Sequence, residues 1–89
     1  MAIGVYFRTN STLDQYNEVW KRLDAAGLHD PKGRLAHSSW GKDGELEVFD
    51  IWESQADFDA FGKELMPMLA DLGVEATPNI VETHRVVIP

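Results

Sequence analysis

The chain has 89 residues, the length of one domain and too short for two. Its 15 acidic and 8 basic residues give a formal net charge of −7, which repels phosphate backbones and anionic lipids, so we expect no nucleic-acid and no membrane partner. The lack of cysteine excludes a disulfide framework and a thiolate zinc site. No apolar run is long enough to span a bilayer and no secretory signal is recognisable, so we expect a cytoplasmic protein.

The first third of the chain predicts a strand followed by a helix. Residues 2–8 are rich in branched and aromatic side chains, which favours a strand. Ser11 is a suitable N-cap, with Asp14 at the capping-box position. Apolar residues then recur at helical spacing as far as Gly27, which is typical of a helix end.

A hairpin is predicted next. Residues 34–41 and 46–53 are the two strands, and Asp43 and Gly44 between them suit a two-residue type I′ turn. This turn sets a register in which paired residue numbers sum to the same value along the hairpin. The predicted pairs are Lys42 with Glu45, Ser39 with Val48, His37 with Asp50, and Leu35 with Trp52.

The last third of the chain predicts a second helix and a fourth strand. Ser54 is the expected N-cap, and an apolar stripe runs from there to Gly73. Pro67 lies inside this stripe and is expected to kink or divide the helix near Met66. Residues 79–88 are the expected final strand.

The predicted order is therefore β-α-β-β-α-β, the ferredoxin-like arrangement of an α+β domain covering residues 1–89. The right-handed crossover rule places both helices on one face of a four-stranded antiparallel sheet. The other face is left bare, and an apolar patch of that size marks an interaction surface. We therefore expect a homodimer formed through the sheet faces.

Residue alternation along the hairpin points to one polar constellation. His37 and Asp50 are predicted to be cross-strand neighbours, on a face that also carries Trp52. We assign this face to the bare side of the sheet, where it would line the space between two subunits. A carboxylate beside an imidazole orients the ring, so His37 is the candidate general base and Asp50 its partner. The alternative is a polar pair that only fixes strand register.

Three further residues are candidate substrate-binding groups, together with Trp52. Tyr6 and Arg8 share a face of the first strand that we place toward the cavity, where Tyr6 could orient a phenol or carbonyl and Arg8 could bind a carboxylate or enolate. The alternative is that Tyr6 belongs to the dimer core and Arg8 to a rim salt bridge. His84 falls in the predicted last strand, and periodicity does not decide which face it occupies.

The segment from Trp52 to Phe61 resembles the W-x-S-x-x-x-F-x-x-F/W signature of the dimeric α+β barrel superfamily, and within it the antibiotic-biosynthesis monooxygenase-like domains. The resemblance implies a dimeric α+β barrel with ligands between the sheet and its helices or inside the barrel. It also implies a choice among cofactor-free oxygenases of aromatic polyketides, heme-degrading oxygenases and lactone isomerases.

Heme degradation fits the sequence poorly. Heme-degrading members place a tryptophan at the second signature aromatic and a histidine about ten residues later, whereas this chain has Phe61 and Asp71 near those places. We therefore expect no cofactor and no metal. Two functions are favoured: an oxygenase, isomerase or cyclase acting on a small apolar or phenolic molecule, and a non-catalytic binding or accessory module. Heme or metal binding, with His37 or His84 ligating a heme in a different pose, is the third alternative.

Overall fold

A computed structural model describes residues 2–89 and shows one antiparallel sheet with two helices. The elements are β1 (Ile3–Thr9), α1 (Leu13–Ala25), β2 (Arg34–Lys42), β3 (Glu45–Trp52), α2 (Gln55–Asp71) and β4 (Ala76–Glu82). The strands lie in the order β2-β3-β1-β4, which confirms the ferredoxin-like prediction. Within residues 2–89, neither helix is long and apolar enough to cross a membrane.

The hydrophobic core lies between the helices and one face of the sheet. Its buried members are Val5, Phe7 and Trp52 from the strands and Val19, Leu23, Phe58, Phe61 and Leu65 from the helices. The opposite sheet face, which carries Tyr6, Arg8 and Trp40 and which we call the open face, is covered by neither helix of residues 2–89. The two faces therefore have different environments, and every candidate residue must be assigned to one of them.

The two helix starts differ in how well they follow the sequence. Helix α1 is capped by Thr12, one residue later than predicted: its hydroxyl accepts from the Gln15 backbone N–H at 3.1 Å, and the Gln15 side chain accepts from the Thr12 N–H at 2.9 Å. Ser11 is buried instead and donates to the Thr12 carbonyl. Ser54 caps α2 as predicted, accepting from the Asp57 N–H at 3.2 Å.

Two predictions for the second half are corrected: the division of α2, one of the two outcomes expected at Pro67, does not occur, and β4 has other bounds. Helix α2 continues through Pro67 without being divided, and the flanking Met66 and Met68 both pack against the core. Tertiary contacts of these neighbours therefore hold together a helix that a lone proline disfavours. Strand β4 begins and ends earlier than predicted and includes Pro78, which is tolerated because β4 is an edge strand.

The hairpin register is confirmed from its turn, through the pair His37–Asp50, as far as the pair Ala36–Ile51. Beyond that pair the prediction fails, because β2 carries a bulge between Arg34 and Ala36, and Arg34 rather than Leu35 pairs with Trp52. The turn is also not of type I′. Gly44 has a φ of 87°, but no non-glycine residue in the described chain has positive φ, and type I′ requires it at both turn positions.

Candidate functional site

Three polar side chains from three elements form a hydrogen-bonded chain. The Tyr16 hydroxyl of α1 lies 2.8 Å from Nε2 of His37 in β2, and His37 Nδ1 lies 2.6 Å from Oδ1 of Asp50 in β3. The strand register places the histidine opposite the carboxylate, and the helix packed over them supplies the phenol. Sequence periodicity predicted only two of these three members.

The roles of the two ring nitrogens follow from the bonding pattern when Asp50 is ionised and the His37 ring is neutral. An ionised carboxylate only accepts hydrogen bonds, so with Asp50 charged, Nδ1 of His37 carries the proton. Nε2 of the neutral ring is then the acceptor, and the Tyr16 hydroxyl donates a hydrogen bond to it. Asp50 thereby turns the basic nitrogen of His37 toward the helix side and toward Tyr16.

The hydrogen-bonded side chains of Tyr16, His37 and Asp50 are largely withdrawn from water. The Asp50 side chain is 5% exposed and that of His37 is 21% exposed. The Trp20 ring covers the imidazole edge-on, with ring centres 5.2 Å apart. Because solvent and salt screen buried pairs much less than exposed ones, the carboxylate can hold the imidazole firmly in one orientation.

A partly open pocket of about 80 Å³ lies between the helices and the sheet, beside the hydrogen-bonded side chains of Tyr16, His37 and Asp50. Its polar lining is Thr9, Ser11, Tyr16, Arg34, His37 and Asp50, and its apolar lining is Phe7, Val19, Trp20, Leu23, Leu46, Val48, Phe61, Leu65, Leu69, Val74 and Ala76. An apolar cavity with a few convergent polar groups is the usual form of a small-molecule site. Its volume is below the roughly 300–1,000 Å³ of drug-sized sites, so a whole occupant must be small or must extend through the open mouth.

The predicted face of the histidine pair is wrong. His37 and Asp50 lie under the helices and not on the open face, since His37 contacts Tyr16 and Trp20 of α1 and Asp50 is buried. Large side chains of α1 accommodate the polar pair, because the Tyr16 hydroxyl bonds to His37 and the Trp20 ring covers it.

Trp52 and His84 lie outside the pocket lining. Trp52 is completely buried against Phe58 and Phe61, with ring centres 5.6 and 5.3 Å away, and its indole N–H has no hydrogen-bond partner. His84 is exposed and follows the end of β4 at Glu82, so its predicted place within the last strand is wrong. Within residues 2–89, no group of three or more His, Cys, Asp and Glu side chains is placed to hold a metal ion.

Tyr6 and Arg8 form a separate cluster on the open face, which is the face predicted for them, but they share no cavity with His37, which lies under the helices. The Tyr6 hydroxyl donates to the Glu47 carboxylate, and Arg8 Nε lies 3.9 Å from the same carboxylate. This hydrogen bond raises the pKa of the Tyr6 phenol above its ordinary value, because it favours the protonated form. The Tyr6 ring is stacked parallel to Trp40, with centres 6.3 Å apart. The register of β1 against β3, which the sequence alone does not reveal, pairs Arg8 with Glu47 and so places both residues beside that carboxylate.

Tyr16 and Trp20 belong to the site although their spacing predicted core positions. They are four residues apart on α1, and both rings contact His37. A sequence signal for Tyr16 did exist: a phenol hydroxyl on an otherwise buried stripe requires a polar partner, and a strand histidine can provide one.

The fold is shared with solved structures over nearly its whole length. SnoaB, a cofactor-independent oxygenase from Streptomyces nogalater, matches with a TM-score of 0.64 and 14% identity over 97% of this chain and 94% of that chain. Rv0793 from Mycobacterium tuberculosis matches with a TM-score of 0.69 and 15% identity over 99% and 100% of the two chains. The chain therefore has the fold of a known cofactor-independent oxygenase.

The same fold also occurs without a natural activity. The de novo designed protein Foldit4 matches with a TM-score of 0.63 and 11% identity over 94% of this chain and all of that chain. No protein-family model and no curated protein matches the sequence. Function must therefore be argued from the side chains of the site rather than from the architecture.

Proposed function

We propose that this chain is a cofactor-independent monooxygenase-like enzyme that binds a small apolar or phenolic molecule between its sheet and helices. His37 is the general base and Asp50 the residue that positions it. The observation that carries the proposal is the His37 ring held between the Asp50 carboxylate and a phenol hydroxyl, beside an apolar pocket. The shared fold with SnoaB supports the choice of reaction class.

Tyr16 indicates what kind of group His37 can receive. Its phenol hydroxyl lies at hydrogen-bonding distance from the basic Nε2 of His37. A substrate phenol or enol that displaces this hydroxyl finds the same nitrogen, with Asp50 stabilising the imidazolium that forms on proton transfer. The apolar walls suit the carbon framework of such a substrate.

The reaction balances without an external electron donor. His37 removes the O–H proton of the enol, or a proton of the tautomeric CH₂ group, and either removal gives the same enolate carbanion. The carbanion reacts with O₂ and regains a proton to give a hydroperoxide. The hydroperoxide loses water and leaves a ketone, so one oxygen atom enters the product and the other leaves as H₂O. The substrate supplies all four electrons, as in the conversion of anthrone and O₂ to anthraquinone and water.

Anthrone is a suitable probe because its CH₂ group is acidic. With the purified protein and a chelator present, we expect anthraquinone to form faster than in buffer, with one O₂ consumed per anthrone. Labelled ¹⁸O₂ should place one labelled atom in the product. Bound anthrone that is oxidised no faster than in buffer, or that yields hydrogen peroxide in place of water, contradicts the proposal.

Anaerobic incubation in D₂O separates an oxygenase from an isomerase or cyclase that uses the same base. An oxygenase and an isomerase or cyclase should both exchange the CH₂ protons of anthrone through His37, because each removes the same proton. Only an oxygenase then forms anthraquinone faster than buffer does when air is admitted. Exchange without later oxidation would assign the chain to the isomerase or cyclase class.

A binding module is the second candidate, and one observation favours it. Tyr16 already satisfies Nε2 of His37, so the buried polar chain is complete without a ligand. A ligand that binds without displacing Tyr16, and without proton exchange, would support this function. The hydroxyl proton of Tyr16 and the ring signals of His37 in NMR spectra report the displacement directly.

A homodimer formed through the open face is part of the proposal. Trp40 is 47% exposed there and Val81 39%, and neither helix of the described residues 2–89 covers them. Burying such a patch against a second copy is favourable. We expect sedimentation equilibrium to give a dimer, and Trp40→Glu to give a monomer. Leu13→Glu on α1, at a site 51% exposed, is the matched control and should stay dimeric. A monomeric wild-type protein at high concentration would contradict this part.

A further inference from the structure

The bulge in β2 brings a cation into the pocket. In an unbroken register Leu35 would pair with Trp52, and Arg34 would point to the open face. The extra residue makes Arg34 the partner of Trp52, and the Glu53 N–H donates to the Gly33 carbonyl at 2.7 Å just beyond it. Arg34 consequently lines the same pocket as His37. Bulges commonly redirect a side chain beside a functional site in this way.

Arg34 is held in place but not neutralised. Its guanidinium carbon lies 5.3 Å from the centre of the Trp20 ring and 5.9 Å from that of Phe61. Nη2 donates to the His29 carbonyl at 2.7 Å, and Arg34 makes no other side-chain hydrogen bond within residues 2–89. No carboxylate of that described part lies within 4.0 Å of it. Most of its five N–H donors therefore lack a protein partner.

The charges of the described pocket lining, one carboxylate and one guanidinium, sum to zero, but the guanidinium is not paired with that carboxylate. Among the described lining residues the carboxylate is Asp50, which is already bound to His37, and the Lys or Arg side chain is Arg34. Both His37 and Arg34 pack on the Trp20 ring, at 5.2 and 5.3 Å from its centre. One small ligand seated against Trp20 can thus face the base and the guanidinium together.

We infer that the pocket takes an aromatic or enolisable acid, whose carboxylate is bound by Arg34 and whose reacting phenol or enol faces His37. A guanidinium matches a carboxylate with two parallel hydrogen bonds, and the flanking Trp20 and Phe61 rings fix its plane. The inference rests on the proposed function, since it names the substrate class of the same site. Its binding test nevertheless requires no turnover.

The test compares 4-hydroxybenzoate with 4-hydroxybenzamide, a neutral molecule of the same shape. We expect calorimetry to show that the wild-type protein binds the acid about 10- to 100-fold more tightly, the usual range for a charge-assisted hydrogen bond. Arg34→Met should remove this preference and leave amide binding nearly unchanged. Arg34→Lys keeps the charge and should retain part of the preference, which guards against a fold defect in the methionine variant.

Arg8→Met is the matched control. Arg8 is 83% exposed on the open face, so its removal should leave the preference for the acid intact. Equal binding of acid and amide by the wild-type protein, failure of the acid to bind at millimolar concentration, or a preference that survives Arg34→Met each overturns the inference. The preference for the acid over the amide can also persist in His37→Gln while neither the wild type nor any variant turns over a substrate. In that case acid binding by Arg34 stands and the proposed catalysis fails.

Discussion

Two histidine–carboxylate pairs in this small chain have the same bond length and different surroundings. His37 Nδ1 to Asp50 and His29 Nδ1 to Asp24 are both 2.6 Å, and both imidazoles meet the Trp20 ring edge-on, at 5.2 and 5.4 Å. The first pair has side chains 21% and 5% exposed, and the second 71% and 56%. Local geometry alone therefore does not distinguish a candidate site from a surface contact.

The surroundings make the difference in three ways. Water and salt screen the exposed pair, so the His29–Asp24 bond contributes little and is readily exchanged for water. His37 has a third partner in Tyr16, which occupies its other nitrogen. It also borders the apolar pocket, whose lining includes Asp50 and does not include His29 or Asp24. Variants of matched pairs can measure each of these differences.

The largest expected difference is in catalysis. His37→Gln removes the basic nitrogen while its amide can still donate to Asp50, so we expect anthrone turnover to fall by about 10²- to 10⁴-fold. His29→Gln removes an equally short bond outside the pocket and should leave turnover within about twofold. The measurement is anthraquinone formation under identical conditions, with folding checked by circular dichroism. Equal losses in the two variants would show that the buried pair has no chemical role.

A smaller difference is expected in stability. Asp50→Ala leaves the Nδ1–H of a mostly buried imidazole without its acceptor, so the free energy of unfolding should fall by about 1–3 kcal/mol. Asp24→Ala removes an exposed carboxylate near the carboxyl end of α1, where the helix dipole disfavours negative charge, and should change stability by no more than about 0.5 kcal/mol.

Urea unfolding of both variants measures this difference directly. Asp50→Asn keeps an oxygen acceptor for His37 and should recover part of the loss, which separates the hydrogen bond from simple volume removal. If Asp50→Ala is as stable as the wild type, the carboxylate does not hold the imidazole, and the orienting role assigned to it is wrong.

The sequence predicts the architecture well because the architecture depends on local and periodic signals. Element order, the Ser54 cap and the pair His37–Asp50 follow from turn residues, helix stripes and strand alternation. The errors arise where a tertiary effect overrides a local one, as at Pro67, whose neighbours pack into the core, and at the β2 bulge, which inserts one residue.

The candidate site is only partly predictable for the same reason. Cross-strand pairing brings His37 and Asp50 together, but which sheet face the helices cover depends on packing among many side chains. Arg34 was missed because a one-residue bulge reverses its direction, and no turn residue marks that bulge. Tyr6 and Arg8 are separated from the site because the cavity was predicted on the open face, whereas the pocket beside His37 lies under the helices.

The smallest expected difference comes from Tyr16, which is the second hydrogen-bond partner of the His37 ring and which the His29 ring lacks. Tyr16→Phe removes one hydrogen bond to a half-buried nitrogen and keeps the ring that packs on Trp20, so we expect a loss of about 0.5–1.5 kcal/mol in unfolding free energy. Two-dimensional ¹H–¹⁵N spectra should show a change at His37 Nε2 and none at the His29 ring. In the proposed enzyme Tyr16 must move aside for the substrate hydroxyl, so Tyr16→Phe should bind 4-hydroxybenzamide at least as tightly as the wild type. Weaker binding by this variant would mean that Tyr16 contacts the ligand instead of being displaced by it.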